Sequence, residues 1–407
     1  MYDALQLRGT YGQTYLILNE MRSDNTLNGG GCNGIAQSLC EVELFKEITT
    51  ANELSNAWSD SYRGIARCNI FLDKLDGSSV SDALKKRYKG EALYIRSLLY
   101  YNLAIIFGNI PLQLVDVASP ADVDLKQYPA NDVYNQIISD LIIAEPLLPA
   151  KYTSADIGRV TSGAVNTLLG KVYLTKGDKS SAITALNKVV DSKNYSLVSD
   201  YAKLWGAANE NGPESIFEIQ YKTGGQGEGS GYFEYFASII GRAGGVGGGN
   251  TPMNMTPDLL AAYKTGDLRF AKSVFTNRRI PDTTYSLKYI STQTTTFDGD
   301  NNWYVARYAD VLLMLAEALG ESAQAYTYIN QVRARAGLPA ISATTPGTFA
   351  QKLLDERRIE FALENQRWQD LLRFGVAKSV MAKQLVVPEA DIRLLFAIPQ
   401  KEIDVSN

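Results

Sequence analysis

Residues 161–190, TSGAVNTLLGKVYLTKGDKSSAITALNKVV, predict two helices joined by a tight turn. Thr161 is a residue type that caps helix N-termini, and Gly177 is the type that most often ends a helix. Apolar residues recur every three or four positions on both sides of Gly177, so each helix has one apolar face. These positions are Val165, Leu168, Leu169, Val172 and Tyr173, then Ala182, Ala185, Leu186, Val189 and Val190. The stretch therefore predicts a helical hairpin.

The spacing of small and large residues in this hairpin matches the tetratricopeptide pattern. The matching residues are Leu169, Gly170, Tyr173, Ala182 and Leu186, while Asn166 stands where the pattern has tryptophan. Small residues let the paired helices approach closely, and large ones fill the groove between them. The same periodicity predicts hairpins over 307–337 and 348–374, and long helices over 81–107 and 131–148. Hairpins in tandem stack into a superhelix.

These patterns predict a mostly α fold over a single unit of residues 1–407. Tetratricopeptide-like helical hairpins form a superhelical scaffold from residues 51–191 and 307–374. Residues 192–306 differ, because residues 216–221 alternate like a strand and the rest is rich in Gly, Thr, Asp and Asn. We predict that 192–306 is a loop-rich insertion with short strands, which binds the ligand.

The absence of histidine restricts the chemistry open to this chain of 407 residues. It removes the usual general base near neutral pH, the Ser-His-Asp triad and the commonest transition-metal ligand. The formal net charge is −4 and there is no basic block, so we expect no nucleic-acid partner. No apolar run reaches the roughly 18 residues that predict a membrane-spanning helix.

Three cysteines are too few for a disulfide framework. Cys32 and Cys40 lie close together in a Gly-rich stretch and could pair. Cys68 lies at an apolar position of a predicted helix, where a free cysteine is usually a small buried residue.

The segment 356–373 contains the densest charge, with Glu356, Glu360 and Glu364 in one i, i+4 row. One interpretation is a carboxylate pair for glycoside hydrolysis, which needs a raised pKa on one member. The other is a structural ion network that joins two helices. Arginines interleave with the row and should lower the pKa of each carboxyl group, so we favour the network.

Aromatic residues in the predicted insertion are candidates for sugar binding. Sugars stack their apolar faces on exposed rings, while polar side chains bind the hydroxyl groups. Tyr232, Phe233 and Tyr235 crowd a Gly-flanked segment, and Trp303 lies in a polar loop before a helix. We therefore predict that these four residues contact a ligand, with closure of the loops onto the helices as the alternative. The other three tryptophans lie at helical spacing, where core packing is expected: Trp58, Trp205 and Trp368.

A polar loop near the N-terminus offers hydrogen-bonding groups for a sugar. Asp24, Asn25 and Asn33 are the candidates, and ordinary turn chemistry is the alternative. Residues 298–302 imitate the start of a calcium-binding EF-hand loop, but Trp303 and Ala309 replace the required Gly and Glu. We expect no cofactor, with a weak calcium site left open.

Several motifs resemble signatures of the SusD/RagB family. The strongest is LLDERRIEFALENQRWQDLLRFG at 353–375, followed by RYADVLLMLAE at 307–317 and INQVRARAGLP at 329–339. Three further segments are similar: 58–69, 91–112 and 394–404. The resemblance covers nearly the whole chain.

The resemblance implies a glycan-binding, surface-exposed lipoprotein of the outer membrane in Bacteroidetes-type bacteria, used in polysaccharide utilisation. Such a protein partners a SusC-like TonB-dependent transporter and is not an enzyme; some members handle peptides. The lipid anchor and export signal would lie outside this sequence, whose tail stops at Asn407. Because ligand loops vary among relatives, only the rough location of the site transfers.

Two other functions remain open from the sequence. A helical-repeat scaffold that binds only protein or peptide would have a smooth, polar loop region. A glycosidase would need two unpaired carboxylates roughly 5–9.5 Å apart in a cleft.

Overall fold

The computed structural model describes residues 1–29, 32, 37–117, 119, 122–236, 253–276, 284–291 and 295–405. The fold is 56% helical with few short strands, which confirms the predicted mostly α class and its tetratricopeptide-like character. In chain order, the helices are α1 (Thr14–Glu20), α2 (Gln37–Glu43), α3 (Asn52–Leu75), α4 (Asp82–Phe107), α5 (Ala130–Ala144), α6 (Ser162–Lys176), α7 (Lys179–Asp191), α8 (Tyr232–Phe236), α9 (Pro257–Ala262), α10 (Phe270–Ser273), α11 (Tyr308–Leu319), α12 (Ala323–Arg335), α13 (Phe349–Glu360), α14 (Arg367–Arg373), α15 (Ala377–Leu385) and α16 (Gln400–Val405). The strands are β1 (Thr26–Asn28), β2 (Ser215–Ile219), β3 (Met253–Met255), β4 (Phe275–Thr276), β5 (Thr284–Tyr285) and β6 (Trp303–Arg307).

The chain forms two compact units. The first contains Met1–Tyr15, Ile48–Tyr195 and Leu395–Asn407, and the second contains Leu16–Glu47 and Ser196–Leu394. The predicted insertion 192–306 and the predicted scaffold segment 307–374 therefore belong mainly to the same unit. The assignment of residues 192–306 to ligand binding stays a prediction.

In the first unit, helices that follow one another in sequence pack as neighbours, from α3 to α7. Local sequence explains the helix ends: the Ser81 and Thr161 side chains accept hydrogen bonds from the first turns of α4 and α6. Gly177 ends α6 with a left-handed φ of +80°. The predicted hairpin at 161–190 is thus confirmed as α6 and α7.

Small residues set the spacing between the paired helices. A Cβ atom on Gly170 would lie 2.4 Å from the Leu186 side chain, so only glycine permits the α6–α7 approach. A Cβ atom on Gly64 would lie 2.5 Å from Leu99 in the α3–α4 pair.

A buried ion pair between Arg96 and the Asp140 carboxylate, at 2.8 and 2.9 Å, joins α4 to α5.

The second unit combines helices α11–α15 with three two-stranded antiparallel pairs: β1–β3, β2–β6 and β4–β5. Strand β6 runs directly into α11, and its Trp303 lies opposite Ile219 of β2. The predicted strand at 216–221 is confirmed as β2. Helices α13 and α14 are joined by a turn in which Leu363 and Asn365 adopt left-handed φ angles of 65° and 59°.

Buried residues match several predictions made from helical spacing. Trp58, Trp205 and Trp368 are all buried, as is Cys68, whose thiol pKa is raised to about 12 by burial. Cys32 and Cys40 form a disulfide. The burial of the three tryptophans and of Cys68 confirms that they belong to the core.

Candidate functional site

The acidic row on α13 is an ion-paired core and not a catalytic carboxylate pair. Glu360 is fully buried and accepts hydrogen bonds from Arg307, Arg335 and Arg269. Burial alone would raise the pKa of Glu360, but the positive charges of Arg335 and Arg307 outweigh it and hold the pKa below its ordinary value. The predicted structural network is confirmed by the arginines that pair with Glu356, Glu360 and Glu364.

Arg307 is the centre of this network. It donates hydrogen bonds of 2.8 Å to Glu364 and 2.8 Å to Glu214, in addition to its bond with Glu360. Lys288 also donates a hydrogen bond of 2.8 Å to Glu364. Paired charges of this kind tie the β6–α11 junction to the turn after α13.

The early polar loop is also part of buried ion pairing. Arg367 donates two hydrogen bonds, of 2.7 and 2.8 Å, to the Asp24 carboxylate, and Arg358 donates one of 2.9 Å to the side-chain amide oxygen of Asn25. Burial would raise the pKa of Asp24, but Arg367 outweighs it and lowers the pKa. Arginines thus occupy both side chains, and the contact of Asp24 and Asn25 with a sugar stays a prediction. Asn33 lies outside the described residues.

Most of the predicted sugar-stacking aromatics lie inside the second unit. The Trp303 ring stacks on Tyr289 at 5.4 Å and 12°, and the Tyr232 ring lies 4.7 Å from Trp303. The Tyr232 hydroxyl donates to the Tyr221 hydroxyl at 3.0 Å. Tyr232, Trp303 and Tyr235 are buried, so the expectation that their rings are exposed is wrong. These rings fill the space between α8, β2 and β6, and their contact with a ligand stays a prediction.

Phe233 belongs to the described backbone of α8, but its side chain lies outside the description. The burial of its neighbours therefore does not test the predicted contact of Phe233 with a ligand.

An aromatic ring that the sequence analysis missed lies exposed beside Tyr235. Phe297 is 52% exposed, and its ring centroid is 6.1 Å from that of Tyr235. A Cβ atom on Gly231 would lie 2.8 Å from the Phe297 ring, so glycine leaves room for it. The φ of Phe297 is +58°, a conformation that bulky residues rarely adopt and that often marks functional positions. The available signal was a single phenylalanine in the polar stretch TTTFDGD at 294–300.

The loop around Phe297 is held by its neighbour Asp298. One carboxylate oxygen of Asp298 accepts hydrogen bonds from the Gly224 and Gly225 N–H groups and from the Thr223 hydroxyl, at 2.9, 3.0 and 3.1 Å. The Gly224 N–H is the main reason that the pKa of Asp298 is lowered. Ser230 and Gly299 exchange backbone hydrogen bonds of 2.8 Å. We call the loop segments 223–231 and 295–300 the stacking loops.

The stacking loops contain the stretch that imitates an EF-hand. Its first carboxylate, on Asp298, has one oxygen engaged by three protein donors, which leaves that atom poorly placed to bind a cation. Within the described ranges, no group of three or more acidic or cysteine side chains could hold a metal ion. The weak calcium site stays a prediction.

Comparison with known proteins identifies the family. One family model, described as the SusD family, matches residues 270–401. A second, described as starch-binding and associating with the outer membrane, matches residues 6–174. This chain belongs to the SusD/RagB family. The motifs at 307–317, 329–339 and 353–375 lie within the first match.

Individual relatives are similar to this SusD/RagB chain over nearly its whole length. SusD-like protein P2 of Formosa agariphila is 27% identical, over 95% of this chain and 84% of its own length. A SusD superfamily crystal structure from Bacteroides vulgatus has a TM-score of 0.86 at 28% identity, covering 99% of this chain and 94% of that one. A laminarin-binding SusD-like protein has a TM-score of 0.85 at 29% identity, covering 99% and 95%.

Among the residues that the structure describes, no helix is both long and apolar enough to cross a bilayer.

Proposed function

We propose that this protein binds glycans at the bacterial outer-membrane surface, as a lipoprotein without catalytic activity, and delivers them to a SusC-like TonB-dependent transporter. The observation that carries the glycan assignment is Phe297, an aromatic ring presented to solvent by a loop with strained backbone geometry. Family membership and the laminarin-binding relative support the same function.

Phe297 offers the apolar half of a sugar site. The C–H face of a pyranose ring packs against an aromatic ring, and its hydroxyl groups need polar partners nearby. Gln226 and Glu228 are exposed on the neighbouring stacking loop. The buried Tyr235 ring lies next to the Phe297 ring and would support it without being exposed itself. This assignment moves the proposed contact from Tyr232, Tyr235 and Trp303 to Phe297.

Two carboxyl groups that have raised pKa values and line a common cavity do not have room for a glycosidase substrate. Burial raises the pKa of Glu210 to about 7 and also raises the pKa of Glu218. Both side chains line one cavity, but its volume is only about 10 Å³. A cavity of that size holds about one water molecule and cannot admit a sugar ring.

A helical-repeat scaffold that binds only protein or peptide is the alternative. That alternative predicts a smooth, polar loop region. An exposed aromatic ring on a polar loop fits a sugar-binding site better. The partner transporter and the lipid anchor follow from family membership and belong to the proposal.

The glycan proposal is tested by titrating laminarin and a panel of other polysaccharides into the purified protein. Phe297→Ala should weaken the binding of whichever glycan the parent binds. The loss of affinity should be at least tenfold, because the stacking surface is removed. Phe275→Ala is the matched control, since Phe275 is 40% exposed and packs on Tyr285 away from the stacking loops. Equal affinities for Phe297→Ala and the parent would refute this site. Release of new reducing ends from any bound glycan would refute the non-catalytic assignment.

A further inference from the structure

An open groove in the first unit plays no part in the proposed glycan site. Its volume is about 470 Å³, within the range of pockets that hold ligands. One wall is the face of α3 that carries Trp58, Tyr62 and Ile70. Residues of the described segments 111–117 and 123–127 also line the groove, together with Ile398 and with Glu402 and Ile403 of α16.

The walls of the groove are fixed by hydrogen bonds among their own polar groups. The Tyr62 hydroxyl donates to the Pro111 carbonyl at 2.7 Å, and the Asn69 amide donates to the Gln113 carbonyl at 2.9 Å. The Gln113 side chain in turn donates to the Asp124 carbonyl at 2.7 Å. These polar atoms are already paired, so they have little capacity left for the hydroxyl groups of a sugar.

What the groove presents is apolar surface. Four of the chain's exposed large aliphatic residues line it: Ile70, Val115, Val123 and Leu125, at 45%, 70%, 38% and 40% exposure. Exposed apolar side chains gathered around a concave surface are typical of protein interaction sites.

The charged side chains that line the groove are all acidic. Asp116, Asp124 and Glu402 line it, and none of the described lining residues is a lysine or arginine. A ligand that combines apolar side chains with a positive charge would complement both features, because opposite charges at a rim favour association.

We infer that this groove binds a partner polypeptide segment that carries apolar side chains next to a lysine or arginine. A volume near 470 Å³ accommodates a few aliphatic side chains. The inference is independent of the glycan proposal, since its residues all belong to the first unit and Phe297 belongs to the second.

The experiment pans a random heptapeptide library, displayed on phage, against the full chain and against Ile70→Arg in parallel. Peptides retained by the parent alone should share apolar positions followed by lysine or arginine. The best peptide is then synthesised and titrated by calorimetry. Ile70→Arg should weaken its binding at least tenfold, while Ile142→Arg, an equally accessible helical isoleucine outside the groove, should leave binding unchanged.

The charge requirement is tested separately. Asp116→Asn, or glutamate in place of the basic residue of the peptide, should weaken binding several-fold, and the difference should shrink at high salt. A thermal melt of each variant confirms that it is folded. The inference is overturned if the library yields no peptide that distinguishes the parent from Ile70→Arg, or if the selected peptides lack a basic residue. It is equally overturned if the parent alone dimerises through this face in sedimentation, or if only an uncharged apolar dye binds there.

Discussion

The Phe297 backbone N–H donates a hydrogen bond of 2.8 Å to the Glu234 carboxylate. This bond joins the exposed ring to helix α8, whose Tyr232 and Tyr235 are buried in the second unit. The unusual φ of Phe297 is thereby held by a buried partner. The exposed ring is consequently part of an ordered site.

Glu234→Ala should weaken glycan binding about threefold to tenfold without removing the stacking ring. The Phe297 N–H would lose its acceptor, at a cost of about 1–3 kcal/mol in the free energy of unfolding. Calorimetric titration with the bound glycan and urea unfolding measure the two effects. Glu228→Ala, on the exposed part of the same loops, should leave stability unchanged. Unaltered affinity and stability in Glu234→Ala would show that the hydrogen bond does not order the loop.

Trp368→Ala should lower the free energy of unfolding by roughly 3–5 kcal/mol, as expected for loss of a large buried ring. Its ring packs 5.8 Å from Phe45 and belongs to a cluster with Leu371 and Met381. Urea unfolding followed by far-ultraviolet circular dichroism measures the change. Val386→Ala, at a position that is 89% exposed, is the control and should behave like the parent. A Trp368→Ala midpoint equal to that of the parent would contradict the assignment to the core.

The sequence predicted the scaffold well because its helices follow local rules. Ser81 and Thr161 cap the N-termini of α4 and α6, and Gly177 ends α6, as their residue types indicate. The site was harder to predict, because exposure of an aromatic ring depends on long-range packing. Tyr232 and Trp303 lie in a Gly-rich or polar sequence context, yet tertiary contacts bury them, while Phe297 is turned outward by a left-handed backbone.

A similar limit applied to Asp24 and Asn25. A polar stretch of this composition usually indicates a solvated turn, but arginines more than 300 positions later in the sequence bind these side chains. Such pairings between distant segments cannot be inferred from local spacing.

Stability should fall as pH rises through the range in which Glu20 ionises. Burial raises the pKa of Glu20 from 4.5 to about 7, while its carboxylate accepts a hydrogen bond from the Asn365 N–H. A raised carboxyl pKa favours the neutral form in the folded state. Its stabilising contribution is therefore complete below pH 4.5 and is lost as pH rises through about 7.

Glu20→Gln tests this relation because glutamine keeps the hydrogen-bond acceptor but cannot ionise. Relative to the parent, the variant should gain about 2–3 kcal/mol in unfolding free energy between pH 4.5 and pH 8. Urea unfolding at several pH values provides the measurement, with Glu228→Gln as the exposed control. Parallel pH curves for Glu20→Gln and the parent would mean that Glu20 ionises normally.

Arg307→Met should destabilise the second unit by about 3–5 kcal/mol, because it leaves several buried carboxylates without their shared partner. Arg307 bonds to Glu364, Glu214 and Glu360, all nearly inaccessible to solvent. Since the pKa of Glu360 is lowered in the folded protein, its stabilising effect is present above the ordinary carboxyl pKa and declines as pH falls below it. Removing Arg307 should flatten that acid-side decline. Arg63→Met, at an exposed arginine that pairs with Asp60, is the control and should cost less than about 1 kcal/mol. If Arg307→Met unfolded at the parent's urea midpoint with the parent's acid sensitivity, the network would not be a source of stability.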